Sequence, residues 1–196
     1  MEFVYNDGGR SKYFKATNVG DCATRAIANA TGADYKLVYK ALSKIEGKPV
    51  RNGCLKKTDK KLLTMLGWKW TPTMVVGGGC HTHLCEDELP SGTLVVQVSS
   101  HLTCVEDGTI YDTYDCSRGE NRCVYGYWEE GRHRSTEYYE GILRDFLGLK
   151  AAKKEKVAAK KKHASKRKAN LSIAKRIACL EKRIEKLEAF VKVGKK

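Results

Sequence analysis

The chain has 196 residues and a formal net charge of +14, from 37 Lys and Arg against 23 Asp and Glu. This charge lies in residues 150–196, where 18 basic residues face 4 acidic ones, and the rest of the chain is neutral. The length allows one ordinary domain plus an extension. The sequence has no apolar run of the roughly 18 residues that a membrane span needs, and its start lacks the pattern of a secretory signal. We therefore expect a cytoplasmic protein with reduced cysteines and no membrane partner.

Three helices are predicted in the first third of the chain, each from apolar residues at helical spacing between a capping residue and a glycine. The first has small or apolar residues at 22, 23, 26, 27 and 30. The first helix is predicted to begin at Cys22 and end at Gly32. The second begins at an Asp34 cap and ends at Gly47, and the third begins at a Thr58 cap and ends at Gly67.

Alternating apolar and polar residues follow, which is typical of strands. Asp107-Gly108 is a strong signal for a two-residue hairpin turn between two of them. A last helix is predicted over 135–147. The predicted strands are 68–71, 93–99, 101–106, 109–114 and 123–128. Helices followed by a meander of strands predict an α+β fold, with N-terminal helices packed on an antiparallel sheet.

The composition divides the chain into a domain over 1–148, a basic Ala/Lys-rich linker or helix over 149–170, and an amphipathic heptad helix over 171–196. In the last segment, apolar residues recur at alternating spacings of four and three, which is a coiled-coil seam. The dense Lys and Arg of 150–196 predict non-specific attraction to nucleic acid. The seam over 173–191 predicts a homo-oligomer.

Cys22 is a candidate nucleophile because it stands at the start of a predicted helix, where the helix dipole favours a thiolate. The preceding Asp21 opposes this if its carboxylate lies ionised beside the sulfur. As a helix N-cap, Asp21 would instead turn towards backbone amides.

The hairpin supplies a base and an acid for this cysteine. A two-residue turn at Asp107-Gly108 places His101 opposite Tyr114, so that Asp112 lies diagonal to His101 on the same face of the sheet. Side chains bridge such a diagonal, which separates backbone positions by about 7–8 Å. The neighbouring Asp115 points to the other face, so the register selects Asp112 as the partner of the histidine.

A cysteine at a helix start, then a strand histidine, then an aspartate on the next strand resembles the papain-like cysteine peptidase superfamily. The bacteriocin-processing and ovarian-tumour-type peptidases are the nearest comparisons. The segments 20–28, 89–94, 100–102 and 107–112 are also similar to small phage-encoded proteins of this kind. The resemblance covers roughly residues 15–128.

The resemblance implies that Cys22 is the nucleophile, His101 the general base and Asp112 its orienting acid, with no cofactor. Members of the superfamily usually carry an oxyanion-stabilising donor, often Gln, a few residues before the cysteine. This sequence has no Gln there, and Asn18, together with the backbone amide of Cys22, is the best substitute.

Two other sites stay open. Cys80, His81, His83 and Cys85 place four zinc-type ligands within six residues. Structural zinc sites usually add a distant second pair, which Cys54, Cys116 or Cys123 could complete, although their spacing does not require it. A glycine-hinged loop over the active-site cleft explains the same residues. Alternatively, Cys80 or Cys104 is the nucleophile, although Cys104 faces away from His101 and Cys80 has no helix behind it.

The sequence thus predicts a phage-type cysteine peptidase or isopeptidase, in the host cytoplasm or the virion, which attacks an amide or thioester of a protein or peptide. Deamidation and acyl transfer use the same three residues. The alternative is a non-catalytic nucleic-acid-binding or virion-associated protein on a papain-like scaffold.

Overall fold

A computed structural model describes residues 1–15, 19–75 and 77–149. The predicted basic segment and heptad helix, 150–196, lie outside these residues, as does Asn18. The helices in the described part are α1 (Cys22–Thr31), α2 (Tyr35–Glu46), α3 (Lys56–Met65) and α4 (Thr136–Leu147). The strands are β1 (Glu2–Tyr5), β2 (Trp68–Pro72), β3 (Thr93–Val98), β4 (His101–Glu106), β5 (Thr109–Asp112) and β6 (Val124–Glu130). Among these residues, no helix is long and apolar enough to cross a membrane.

The helix boundaries follow from local capping chemistry. The Asp34 carboxylate accepts a hydrogen bond from an amide in the first turn of α2, and the Ser135 hydroxyl does the same for α4. Gly32 and Gly47 end α1 and α2 in the left-handed conformation, at φ 64° and 79°. These predicted ends of α1 and α2 and the start of α4 are confirmed.

The predicted start of α3 at a Thr58 cap is wrong, because the helix already begins at Lys56. The Thr58 hydroxyl donates to the carboxylate of Glu46, at the end of α2. The same carboxylate accepts the amide of Leu55 at 3.2 Å. A side chain from the preceding helix therefore holds this helix end, which a local capping pattern does not reveal.

The six strands form one sheet in the order β1-β5-β4-β3-β6-β2. β1 runs parallel to β5 and pairs Tyr5 with Asp112, whereas all other neighbours are antiparallel. The fold is therefore α+β, as predicted, but the sheet is mixed, and the prediction of an antiparallel sheet is wrong at β1. β1 has only four residues, all exposed, so it lacks the alternation that marks a half-buried strand.

Successive residues of the central strands enter two different cores, as the pleat of a strand requires. One core lies between the sheet and the four helices, and takes from the sheet Trp68, Val95, Leu102 and Trp128. The other face holds a smaller core formed by Leu84, Leu94, Val96, Val98, Val105, Ile110, Cys116 and Val124. Because α1 packs against β4, the start of the helix comes close to the start of that strand.

Candidate active site

Cys22 and His101 meet where α1 and β4 begin. Cys22 is the first residue of α1, and His101 is the first residue of β4. Both residues line the same cavity, and interactions with the His101 side chain and the Leu102 backbone lower the pKa of Cys22. Cys22 is half-buried, so part of the residue is open to solvent.

The imidazole is held from its other side by Asp112. His101 Nε2 lies 2.7 Å from Asp112 Oδ2, and the side chains are only 8% and 3% exposed. The predicted hairpin register is confirmed, since Val105 pairs with Ile110. Tyr114 lies beside the histidine, with ring centroids 5.1 Å apart. The structure therefore brings the three predicted residues together: His101 is hydrogen-bonded to Asp112, and Cys22 lines the same cavity as His101.

The charges of Cys22, His101 and Asp112 stabilise one another. Burial alone would raise the pKa of Cys22, but the hydrogen bond and positive charge of His101 lower it below its usual value. Burial alone would lower the pKa of His101, but its bonds to Asp112, Cys116 and Cys22 raise it. Burial would also raise the pKa of Asp112, and its bond to His101 lowers it. All three directions favour the ionised pair, a thiolate beside an imidazolium, over the neutral pair.

Asp21 stands at the N-cap position of α1, but its side chain makes no capping hydrogen bond, so the alternative in which its carboxylate turns towards backbone amides is wrong. Its buried carboxylate accepts hydrogen bonds from Arg25, from the Tyr35 hydroxyl and from Arg10 Nε, the last at 2.6 Å. Arg25 also lies 3.9 Å from Asp112. Two guanidinium groups thus compensate the negative charge next to the nucleophile, and Arg25 itself lowers the pKa of Cys22.

The Cys22 thiol and the His101 ring line a cavity of about 480 Å³. Gln97 of β3, Tyr114 and Asp59 of α3 are among its other walls. A cavity of this size accommodates a side chain or a short peptide segment. The loop over 77–85 contributes nothing to its lining, so the expectation that this loop covers the cleft is wrong.

The other cysteines in the described residues have different chemistry. Burial raises the pKa of Cys54 to about 12, and it also raises the pKa of Cys85 and of the fully buried Cys104. Cys80 forms a disulfide with Cys123, so the expectation of reduced cysteines is wrong at this pair. Neither Cys80 nor Cys104 is therefore placed to act as the alternative nucleophile.

The predicted zinc cluster does not assemble as a set of ligands. The sulfur of Cys80 is bonded to Cys123, and His83 pairs instead with the carboxylate of Glu88. In the described residues, the group with metal-type spacing is His101, Asp112 and Cys116, whose ligand atoms lie within 4.8 Å of one another. Because the first two share a short hydrogen bond, a metal there would have to displace their proton.

Several residues around the site were not found by sequence reasoning. Arg25 falls on the helix after Cys22, but nothing local shows that it reaches two aspartates. The predicted oxyanion donors are Asn18 and the backbone amide of Cys22, whereas Gln97 of β3 also lines the cavity. Asp59 resembles an ordinary acidic residue in the first turn of a helix. Each of these placements depends on tertiary packing.

We compared the chain with protein-family models, with curated proteins and with solved structures, and found no match.

Proposed function

We propose that the protein is a papain-like cysteine hydrolase that cleaves an amide or thioester bond in a protein or peptide. The observation that carries this proposal is the half-buried Cys22, at the start of a helix and in one cavity with His101, which lowers the pKa of the thiol. In the described residues, the other free cysteines with a shifted pKa are shifted upwards. A reactive thiolate beside a base is what nucleophilic catalysis by cysteine needs.

In this reaction the Cys22 sulfur attacks the carbonyl carbon of the substrate. His101 then gives its proton to the departing amine or thiol, which leaves a thioester on Cys22. A water molecule attacks that thioester, His101 takes its proton, and the acid product departs as the thiolate re-forms. Asp112 keeps the imidazole oriented and stabilises its charged form throughout.

The negative charge on the substrate oxygen needs hydrogen-bond donors. The amide of Cys22 is one of those at a helix start that have no partner within the helix. The Gln97 side chain is a second donor in the wall of the same cavity. We assign these two groups to the oxyanion, because donors fixed in advance stabilise a tetrahedral intermediate best. Deamidation or acyl transfer would differ only in the group that leaves or enters.

Selective alkylation tests the proposal. Full-length protein is treated with iodoacetamide at about pH 6.5, and modification is followed at each cysteine by peptide mass spectrometry. We expect Cys22 to react at least about tenfold faster than Cys85, which is similarly half-buried, because only thiolate attacks the reagent. His101→Ala should slow Cys22 and leave Cys85 unchanged. Equal rates at the two cysteines would refute the proposal.

A second candidate function is favoured by the charge of the chain. The 18 basic and 4 acidic residues over 150–196 supply sequence-independent attraction to phosphate groups. The protein would then be a non-catalytic nucleic-acid-binding or virion-associated protein on a papain-like scaffold. The alkylation test separates the two, because a binding protein has no need of a reactive Cys22.

A further inference from the structure

Asp59 is a buried carboxylate in the wall of the candidate active site. It lies in the first turn of α3 and is only 5% exposed, and it lines the same cavity as Cys22. Its Oδ1 is buried and has no hydrogen-bond partner in the described part of the chain. A buried carboxylate oxygen without a donor is costly, so its retention calls for an explanation.

The groups around Asp59 compensate its charge only in part. Burial raises the pKa of Asp59 to about 6, although the backbone amides of Asp59 and Lys60 and the charge of Lys56 lower it. The Lys56 ammonium lies over the Tyr125 ring, 5.7 Å from its centroid, and Glu46 adds a second negative charge.

The first turn of a helix favours an acidic residue, but that interaction is as available to an exposed side chain as to a buried one. The helix dipole therefore does not explain why this carboxylate is buried beside the nucleophile. Cys54 lines the same cavity, and the negative charge of Asp59 adds to burial in raising the pKa of its thiol. A cationic group entering the cavity would supply the missing donor and the missing positive charge together.

We propose that Asp59 makes this cavity a subsite for an ammonium or guanidinium group, so that the hydrolase prefers substrates with a basic residue beside the bond that is cleaved. The proposal rests on the proposed function for the identity of the bond, but the charge preference of the cavity can be measured without any substrate. Acidic groups are disfavoured in the same place, because they would meet a buried like charge. Asp59 acts here on specificity and takes no part in bond cleavage.

Charged thiol reagents of similar size test the preference directly. The cationic 2-aminoethyl and the anionic 2-sulfonatoethyl methanethiosulfonates both react with a thiolate, which displaces methanesulfinate and forms a mixed disulfide. The ratio of their rates at Cys22, followed by peptide mass spectrometry of the full-length protein, reports the charge of the cavity. The ionisation of Cys22 cancels in this ratio, because the same thiolate attacks both reagents.

We expect Asp59→Asn to lower the ratio of cationic to anionic rates by about fivefold or more, since it removes one charge from a site partly shielded from water. Asp145→Asn is the matched control, because it removes the same charge from an exposed position on α4 outside the cavity. The control should change the ratio by less than about twofold, as expected for a screened surface charge.

The wild-type protein provides an independent measurement that needs no variant. The charged or titratable side chains that act on Asp59 include Lys56, Glu46 and Cys54, and Arg25, His101 and Cys22 line the same cavity. Between about pH 5 and about pH 7.5, Asp59 loses its proton, so the ratio should rise about fivefold. Asp59→Asn should abolish that rise.

Each outcome decides one proposal. A ratio that is the same in wild type and Asp59→Asn, and flat with pH, overturns the subsite and leaves the reactive Cys22 standing. Conversely, if Cys22 reacts with iodoacetamide no faster than Cys85, the hydrolase proposal fails, while the ratio at Cys22 still decides the charge preference.

Discussion

Replacing Asp112 with Asn tests whether the buried acid sets the reactivity of Cys22. The variant keeps the shape of the side chain but removes the charge that faces His101 Nε2 at 2.7 Å. A hydrogen bond to a charged group contributes about 1.5–3 kcal/mol, and about 1.4 kcal/mol corresponds to one pKa unit. Because the imidazolium loses this stabilisation, the pKa of His101 falls and that of Cys22 rises. We expect the pH profile of Cys22 alkylation to move upwards by about 1–2 units.

The assay is the second-order rate of iodoacetamide reaction at Cys22, measured from about pH 4.5 to about pH 9.5. At the acidic end, Cys22 of Asp112→Asn should react about 10–100-fold more slowly than Cys22 of the wild type. The two rates should converge at the alkaline end, where Cys22 is a thiolate in both proteins. Asp115→Asn is the matched control from the same hairpin, and its profile should stay within a few tenths of a unit. If Asp112→Asn titrates as wild type does, the acid does not act through His101 and the reasoning is refuted.

Three further changes test other parts of the structure. Asp21→Asn leaves two buried guanidinium groups short of their counter-charge and should lower the free energy of unfolding by about 3–5 kcal/mol in urea; a loss below about 1 kcal/mol would contradict the buried network. Gly126→Ala should cost about 2–3 kcal/mol in the same assay, because φ is 155° there and a Cβ would lie 2.3 Å from the Trp70 ring; unchanged stability would show that this strand contact is misplaced. Deleting 150–196 should abolish retention on heparin and leave Cys22 alkylation unchanged, and undiminished retention would place the phosphate-binding charge elsewhere.

The sequence was informative wherever structure depends on neighbours along the chain. The cap at Asp34, the helix start near Ser135 and the hairpin at Asp107-Gly108 all depend on local sequence, and each lies where it was predicted. The hairpin mattered most, because its register placed Asp112 next to His101 before any tertiary information. Periodicity and turn chemistry thus predicted the helices, most strands and the base–acid pair.

The sequence was uninformative where one partner is remote. β1 depends on pairing with β5, more than a hundred residues later, and its own exposed residues carry no pattern. The start of α3 is set by Glu46 of another helix. Of the two arginines that bind Asp21, Arg25 is four residues later on the same helix, whereas Arg10 comes from a separate segment. Charged side chains have many compatible partners, so their pairings follow from packing and not from spacing.

The parallel pairing of β1 links the earliest residues of the chain to the strand that ends in Asp112. The amide of Asn6 donates to the carbonyl oxygen of Asp112 at 2.8 Å, just beyond the Tyr5 pair. Such distant contacts form late, since the loop between them must close first. A nascent chain would therefore lack this contact, and the acid held by it, until residue 112 has left the ribosome and the first strand has docked. A protein that attacks peptide bonds would gain from this delay, because an unfinished copy could not damage its surroundings.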